Sequence, residues 1–120
     1  MDQYYIAVTI LTKYFSKIGY IVNLLPKPND GVGTGAHAHL SIWQDGKSAT
    51  GDASKPYGIS DAFSSFLAGV LKYYPAIVHF LAPSFNSTRR IIPGYFAGRY
   101  TIWGVDNKEA PVRVVGYSKA

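Results

Sequence analysis

Residues 27–41 read KPNDGVGTGAHAHLS, a glycine-rich loop that runs directly into a segment carrying two histidines. Gly31, Gly33 and Gly35 leave a backbone that can adopt positive φ angles and approach a ligand closely, and such loops can turn several N–H groups toward an anion. The next residues alternate between polar and apolar side chains, which predicts a strand with a functional face and a core face. The functional face carries His37, His39 and Ser41, and the core face carries Ala38, Leu40 and Ile42.

Established loop motifs do not account for this stretch. The Walker phosphate loop ends in Gly-Lys-Ser/Thr, which is absent here. Residues 31–36 read as a degenerate dinucleotide fingerprint, but that motif follows a strand and opens a helix, whereas this loop opens a predicted strand. Two histidines at alternate strand positions can chelate a metal or can be hydrogen-bonded in a groove, and the loop by itself leaves both alternatives open.

Composition sets the class of protein. With 120 residues, 48% of them hydrophobic, the chain is one domain or a piece of one, with a modest core. The absence of cysteine excludes a disulfide scaffold and a thiolate metal cluster. The chain does not begin with a basic segment and a long apolar run, and no stretch reaches the ~18 apolar residues of a membrane span. We therefore predict a cytoplasmic protein with no membrane segment.

The net charge of +5 favours anionic ligands. Basic side chains are concentrated in the last third of the chain, and 15% of all residues are aromatic, so a nucleic-acid-binding surface is one interpretation. A solvated basic face is the other. The basic residues concerned are Arg89, Arg90, Arg99, Lys108, Arg113 and Lys119.

The first half of the chain predicts one helix and several strands. Asp2 and Gly19 bound a first helix, and residues 20–25 form a short β-branched run that predicts a strand entering the glycine loop. Asp45 and Gly46 predict a tight turn after the histidine strand. The apolar stripe of the first helix comprises Tyr4, Val8, Leu11, Phe15 and Ile18.

The second half predicts two helices and two strands. Ser60 opens a helix that Pro75 ends, and residues 76–81 form a shorter helix. From Pro83 the chain is predicted to be a loop, with strands at residues 100–103 and 112–117. Helices packed on a curved, mainly antiparallel sheet make an α+β fold.

Three segments, in order, carry a family resemblance. The loop and His-x-His-x-Ser pattern of residues 27–41 resembles the nucleotide-binding signature of glutamine synthetases. Residues 86–94, NSTRRIIPG, resemble that family's Asn-Ser-x-x-Arg-hydrophobic-x-Pro-Gly segment. Residues 103–113, WGVDNKEAPVR, resemble its Asn-Arg-x-x-x-x-Arg segment in the form found in amine ligases and nodulin-type relatives. The resemblance implies that residues 1–120 are an internal fragment of the catalytic (C-terminal) domain.

The resemblance implies ATP-dependent ligation. In that family ATP phosphorylates the γ-carboxylate of glutamate, and ammonia or another amine displaces the phosphate in a cleft that holds Mg²⁺ or Mn²⁺. Metal ions and guanidinium groups suit this chemistry because they stabilise charge on the transferring phosphoryl oxygens. The expected partners are glutamate, ATP and an amine rather than nucleic acid or membrane, and a homo-oligomer is expected for the full-length parent.

The same resemblance gives a role to each candidate site residue. His37 resembles the metal-binding histidine, Gly33 the glycine that lies against the glutamate substrate, and Arg90 the arginine that holds the substrate carboxylate. Guanidinium suits the last role because it binds carboxylate with two parallel hydrogen bonds. The residues assigned to ATP are His39 and Ser41 at the nucleotide, with Lys108 and Arg113 at the phosphates.

The sequence also departs from the family pattern. Lys108 stands where the family usually has arginine, which keeps the charge but loses the planar fork. Phe96 stands where ammonia-using members have the flap glutamate that takes a proton from ammonium, and Val32 replaces the loop asparagine. The only glutamate is Glu109, so the carboxylates of the family's metal sites cannot be completed, and we expect the chain alone to be inactive.

Three hypotheses follow. The first is a fragment of an active glutamine-synthetase-type ligase, which His37, Arg90 and Arg113 favour. The second is a catalytically dead family member with a structural role, which the missing flap glutamate favours over plain glutamine synthesis. The third is an unrelated basic nucleic-acid-binding module, which rests on charge and aromatic content.

Overall fold

A computed structural model describes residues 2–31 and 33–115. The described part contains α-helices, a 3₁₀ turn and short strands, so the predicted mixture of helix and strand is confirmed. None of the described helices has the length and apolar character needed to cross a lipid bilayer. In chain order the elements are α1 (Asp2–Lys17), β1 (Trp43–Gln44), β2 (Lys47–Ser48), the 3₁₀ turn (Pro56–Gly58), α2 (Asp61–Leu81), α3 (Phe85–Arg90), β3 (Trp103–Val105) and β4 (Val112–Val114).

The core lies along one face of α2. Phe63 and Leu67, four positions apart, are buried beside Ile59, which directly precedes the helix. The helix begins as predicted, because the Ser60 Oγ accepts a hydrogen bond from the Phe63 N–H at 3.0 Å and satisfies a free donor of the first turn. The partly buried residues packed on this cluster are Ile42, Leu71, Trp103, Val112 and Val114.

The predicted break at Pro75 is wrong, since α2 continues through it to Leu81. The proline removes one N–H donor and costs about 3 kcal/mol in a helix interior. Burial on both sides offsets this cost: Tyr74 is 8% exposed, and Ile77 and Val78 in the following turn are partly buried. Tertiary packing thus maintains a single helix where the local sequence predicted two.

The predicted first helix is confirmed, but it packs on nothing in the described part of the chain. Gly19 ends it with φ +85° while the Tyr20 N–H donates to the Phe15 carbonyl, as expected for a glycine-terminated helix. No described residue of α1 is buried, and its apolar side chains face solvent. The radius of gyration, 17.9 Å, accordingly exceeds the ~14 Å expected for a compact domain of this length.

The predicted curved, mainly antiparallel sheet is not found in the described residues. β1 and β2 form an antiparallel hairpin whose turn, as predicted, is Asp45-Gly46, with positive φ at both positions. β3 and β4 pair in parallel, with Gly104 opposite Arg113. Sequence predicted these strands at residues 100–103 and 112–117; the first is shifted toward the C-terminus, and residues 116–117 lie outside the described part.

Two further predicted strands are irregular segments in the structure. Residues 20–25 form no ladder, and the Leu25 N–H instead donates to the Asn23 Oδ1 at 2.9 Å. Residues 36–41, which carry both histidines, also pair with no strand of the described chain. An alternating pattern becomes a strand only where a neighbouring strand takes up its backbone hydrogen bonds, and no described segment does so here.

The segment after Pro83 forms a short helix rather than the predicted loop. Ser84 is the N-cap of α3, and its Oγ accepts from the Ser87 N–H at 3.1 Å and lies 2.8 Å from the Ser87 Oγ. Ser87 is buried. The last residue of this helix is Arg90.

Candidate functional site

The glycine loop is joined to α3 by a reciprocal pair of hydrogen bonds. The Lys27 N–H donates to the Asn86 Oδ1 at 2.7 Å, and the Asn86 Nδ2 donates to the Lys27 carbonyl at 2.9 Å. The Thr34 N–H closes the loop on itself by donating to the Pro26 carbonyl at 2.8 Å. These bonds hold the glycine loop against α3, although the two bonded residues are 59 positions apart in the chain.

The Arg90 side chain extends from the end of α3 along the glycine loop. A β-carbon on Gly33 would lie 3.0 Å from the Arg90 Cγ and 2.7 Å from the Pro26 carbonyl oxygen. A β-carbon on Gly35 would lie 2.7 Å from the Arg90 Cζ and closer still to its Nη2. These glycines therefore create the channel in which the guanidinium lies, and the structure brings Gly33 and Arg90 together.

The two neighbouring arginines differ in their partners. Arg89 is exposed, and its Nη2 pairs with the Asp30 Oδ1 at 3.0 Å. Arg90 is partly buried and pairs with no carboxylate among the described residues. Because a partly desolvated guanidinium binds carboxylate strongly, Arg90 has the properties of an anion-binding side chain.

Lys27 places a second cation beside this loop. The residue is 5% exposed, and its Nζ lies 4.1 Å from the centroid of the Tyr95 ring, within the range of a cation–π interaction. This contact holds the segment after Pro93 against the glycine loop. No local sequence pattern predicted this role for Lys27.

The segment that begins at Tyr95 is held by two side chains from the turn before β4. The Phe96 N–H donates to the Glu109 Oε1 at 2.9 Å, and the Lys108 Nζ lies 5.7 Å from the Phe96 ring centroid. Phe96 has φ +54°, an uncommon conformation for a non-glycine residue. Lys108 therefore contacts the flap-position aromatic residue.

Tyr74 fixes the other end of the same segment. Its hydroxyl donates to the Gly98 carbonyl at 2.7 Å inside the protein. Burial raises the pKa of the Tyr74 phenol, while the positive charge of Arg90 acts in the opposite direction. The phenol is thus maintained as a protonated hydrogen-bond donor beside the candidate site.

Among the described residues, no hydrogen bond or ion pair joins the remaining predicted residues to Arg90. His37 and His39 are exposed on an irregular segment, so the predicted presentation from one strand face is wrong. The Ser41 Oγ accepts from the Trp43 Nε1 at 2.9 Å. Arg113 lies partly buried on β4 opposite Gly104.

The described residues do not assemble a metal centre. No group of three histidine, cysteine, aspartate or glutamate side chains comes together within residues 2–31 and 33–115. Mg²⁺ and Mn²⁺ favour several oxygen ligands, chiefly carboxylates, and a lone histidine such as His37 does not replace them. The donor set present in this part of the chain therefore does not fit the implied metal by itself.

Sequence reasoning missed several residues that build the site. Asn86 and Glu109 make contacts across long sequence separations, and Tyr95 stacks on a lysine, so none had a local pattern that revealed its partner. Only Ser84, an N-cap residue after a proline, carried a readable signal for the helix that positions Arg90.

A family model and curated relatives identify the family of the chain. The model for "Glutamine synthetase, catalytic domain" matches residues 1–120. The chain belongs to the glutamine synthetase catalytic-domain family. This is the class of protein that the three sequence motifs indicate.

The relatives include proteins named glutamine synthetase and one named gamma-glutamylpolyamine synthetase. Type-1 glutamine synthetase 1 of Dictyostelium discoideum is 37% identical over 94% of this chain and 23% of its own length. Glutamine synthetase of Thermotoga maritima is 38% identical over 80% of this chain and 22% of its own length. Gamma-glutamylpolyamine synthetase GlnA3 of Streptomyces coelicolor is 41% identical over 71% of this chain and 18% of its own length. The chain thus spans about a fifth of the length of these relatives.

Proposed function

We propose that the protein carrying this chain is an ATP-dependent ligase that joins the γ-carboxylate of glutamate to ammonia or an amine. ATP transfers its γ-phosphoryl group to the carboxylate, and the amine then displaces phosphate from the γ-glutamyl phosphate. The observation that carries the proposal is the Arg90 guanidinium, partly buried along Gly33 and Gly35 and pairing with no carboxylate among the described residues. Family membership and the names of the relatives support it.

The proposed roles follow from the chemistry of each side chain. Arg90 binds a substrate carboxylate through two parallel N–H groups and fixes glutamate beside Gly33. Lys108 and Arg113 neutralise ATP phosphate oxygens, and positive charge there stabilises the phosphoryl transition state. His39 and Ser41 contact the nucleotide in this proposal.

We also propose that a divalent cation, Mg²⁺ or Mn²⁺, serves the reaction, with His37 as one ligand. When bound, such an ion polarises phosphoryl oxygens. The described residues do not supply the carboxylates that the ion requires. By the same reasoning we propose that the isolated 120-residue chain releases no phosphate from ATP in a glutamate-dependent manner.

A second candidate function is a structural member of the family without catalysis. Two observations favour it. Phe96 occupies the flap position, and the Lys108 ammonium is engaged in a contact with the Phe96 ring. A protein of this kind would retain the fold and bind neither glutamate nor ATP productively. Measured ligase activity in the native protein would exclude it.

Assembly and location complete the proposal. We propose a cytoplasmic homo-oligomer. Analytical ultracentrifugation of the native protein tests this, and a monomer at micromolar concentration would contradict it.

The ligase proposal is tested by steady-state kinetics on the native protein that carries this chain. Arg90→Lys keeps the charge but removes the fork, so one charge-assisted hydrogen bond worth about 1.5–3 kcal/mol is lost. We expect the KM for glutamate to rise at least about tenfold. Arg89→Lys is the matched control, because Arg89 is exposed and pairs with Asp30. Equal effects of the two substitutions, or no glutamate-dependent ADP formation, would overturn the proposal.

A further inference from the structure

A cavity lies away from the glycine loop, between the end of α2, α3 and the segment that precedes β3. Its volume is about 340 Å³, within the range of roughly 300–1,000 Å³ that small-molecule sites occupy. No residue of the glycine loop lines it, and neither does Arg90. The residues that line this α2–α3 cavity are Val78, His79, Ala82, Thr88, Ile91 and Arg99.

Side chains at the ends of two helices form the apolar part of the cavity. Val78 lies in the last turn of α2, and Ala82, four positions later, is the C-cap of that helix, so the two share one face. Ile91 is the C-cap of α3, and all three residues are partly buried. They offer hydrocarbon surface to a ligand, where each buried methylene improves affinity by roughly fourfold.

Arg99 and His79 supply the nitrogen donors of the cavity. Both side chains are exposed, and neither forms a hydrogen bond or an ion pair with another described residue. The third polar residue, Thr88, is engaged locally, because its hydroxyl donates to the Phe85 carbonyl at 2.8 Å. Among the described residues that line the cavity none is acidic, so the guanidinium charge is left for an anionic ligand.

The backbone beside Arg99 is held by contacts from two other segments. The Gly98 carbonyl accepts the Tyr74 hydroxyl at 2.7 Å, and a β-carbon on Gly98 would lie 2.9 Å from the Pro111 Cα. An anchored backbone limits the positions that the guanidinium can reach, which lowers the ordering cost of binding. The C-terminus of α2 carries only about half a negative charge, so the full charge of Arg99 keeps the cavity positive.

We propose that the α2–α3 cavity binds a small aliphatic carboxylate, with its carboxylate group on Arg99 and His79 and its hydrocarbon part against the apolar lining. Guanidinium binds a carboxylate through two parallel N–H donors, and a ring nitrogen of His79 adds a further donor. The hydrocarbon part distinguishes this ligand from an inorganic anion, which gains nothing from apolar surface. The site is separate from the Arg90 channel and does not depend on the proposed ligase reaction.

The test is calorimetric titration of the native protein that carries this chain with acetate, butyrate and hexanoate. We expect Kd to fall along the series, by up to about fourfold per added methylene until the cavity is filled. Arg99→Gln should weaken hexanoate binding by about tenfold or more, because it removes the charged partner. Arg89→Gln is the matched control and should leave Kd unchanged, because Arg89 is exposed, pairs with Asp30 and does not line the cavity.

Two further variants separate the possible outcomes. Ala82→Leu puts a larger side chain into the cavity and should remove the gain from butyrate to hexanoate. Arg90→Lys alters the glycine-loop site and should leave hexanoate binding unchanged. The proposal would be overturned if hexanoate did not bind the unmodified protein, if Arg99→Gln and Arg89→Gln had equal Kd values, or if binding were lost only in Arg90→Lys. None of these results changes the ligase proposal, which is tested separately by glutamate-dependent ADP formation.

Discussion

The guanidinium group of Arg90 occupies the space that a β-carbon of Gly35 would need. The Arg90 Cζ would lie 2.7 Å from that carbon, far inside van der Waals contact. Gly35 is therefore glycine because an arginine 55 positions later lies across it, and the position of that arginine depends on this glycine. The candidate carboxylate-binding site therefore depends on both Gly35 and Arg90.

Substituting Gly35 should displace Arg90 without unfolding the protein. In Gly35→Ala the new methyl group meets the movable end of a side chain, so the guanidinium shifts and loses its alignment with substrate. We expect the KM for glutamate to rise about tenfold or more, as for loss of one charge-assisted hydrogen bond. Gly69→Ala in α2, where no atom lies within 4 Å, is the control and should stabilise the helix by up to ~1 kcal/mol. Unchanged glutamate kinetics in Gly35→Ala would contradict this prediction.

Removing the Asn86 side chain should loosen the glycine loop. Asn86→Ala deletes both bonds to the Lys27 backbone, each worth about 0.5–1.5 kcal/mol net. We expect the free energy of unfolding to fall by about 1–3 kcal/mol in denaturant titrations. Asn23→Ala is the comparison, because Asn23 is exposed and its side chain makes one local bond, to the Leu25 N–H. Equal stability losses in the two variants would show that the pair does not stabilise the loop.

Tyr74 should give stability a dependence on alkaline pH. Burial raises the folded-state pKa of the phenol above the unfolded value of about 10, so its contribution is fully present below pH 10 and is lost as pH rises through the folded pKa. At pH 8 we expect Tyr74→Phe to be less stable by about 1 kcal/mol, through loss of the bond to the Gly98 carbonyl. That difference should shrink above pH 10.

The measurement for Tyr74 is the unfolding free energy of wild type and variant at a series of pH values. Tyr73→Phe serves as the control because that neighbouring ring is 59% exposed. A Tyr74→Phe difference that stays constant across pH 8–11 would contradict the assigned cause.

Phe96 should set the preference among acceptors. An aromatic wall buries methylenes of an alkylamine, each worth about 0.8 kcal/mol or roughly a fourfold gain in kcat/KM. Ammonia should be a poor acceptor, and use should increase along a series of alkylamines and diamines. Phe96→Leu, which keeps an apolar but smaller surface, should flatten the series. Equal or better use of ammonia by the unmodified protein would contradict this prediction.

Local patterns were sufficient for elements whose stabilising contacts are close in sequence. Ser60 bonds to a residue three positions later, Asp45 and Gly46 form their own turn, and Gly19 ends its own helix. Patterns that needed distant partners were misread. The alternation around His37 predicted a strand without specifying a neighbour, and Pro75 predicted a helix end without accounting for burial on both of its sides.

By itself, the sequence determined the family of this protein, because three ordered motifs carry that information whatever the chain packs against. It also determined the residue types available for chemistry: one glutamate, two neighbouring arginines and an aromatic residue at the flap position. Only the tertiary structure decided which of them meet. Arg90 packs against Gly35, Asn86 is hydrogen-bonded to Lys27, and Glu109 is hydrogen-bonded to Phe96. Hydrogen bonds and steric contacts act through space, so their strength does not depend on separation along the chain.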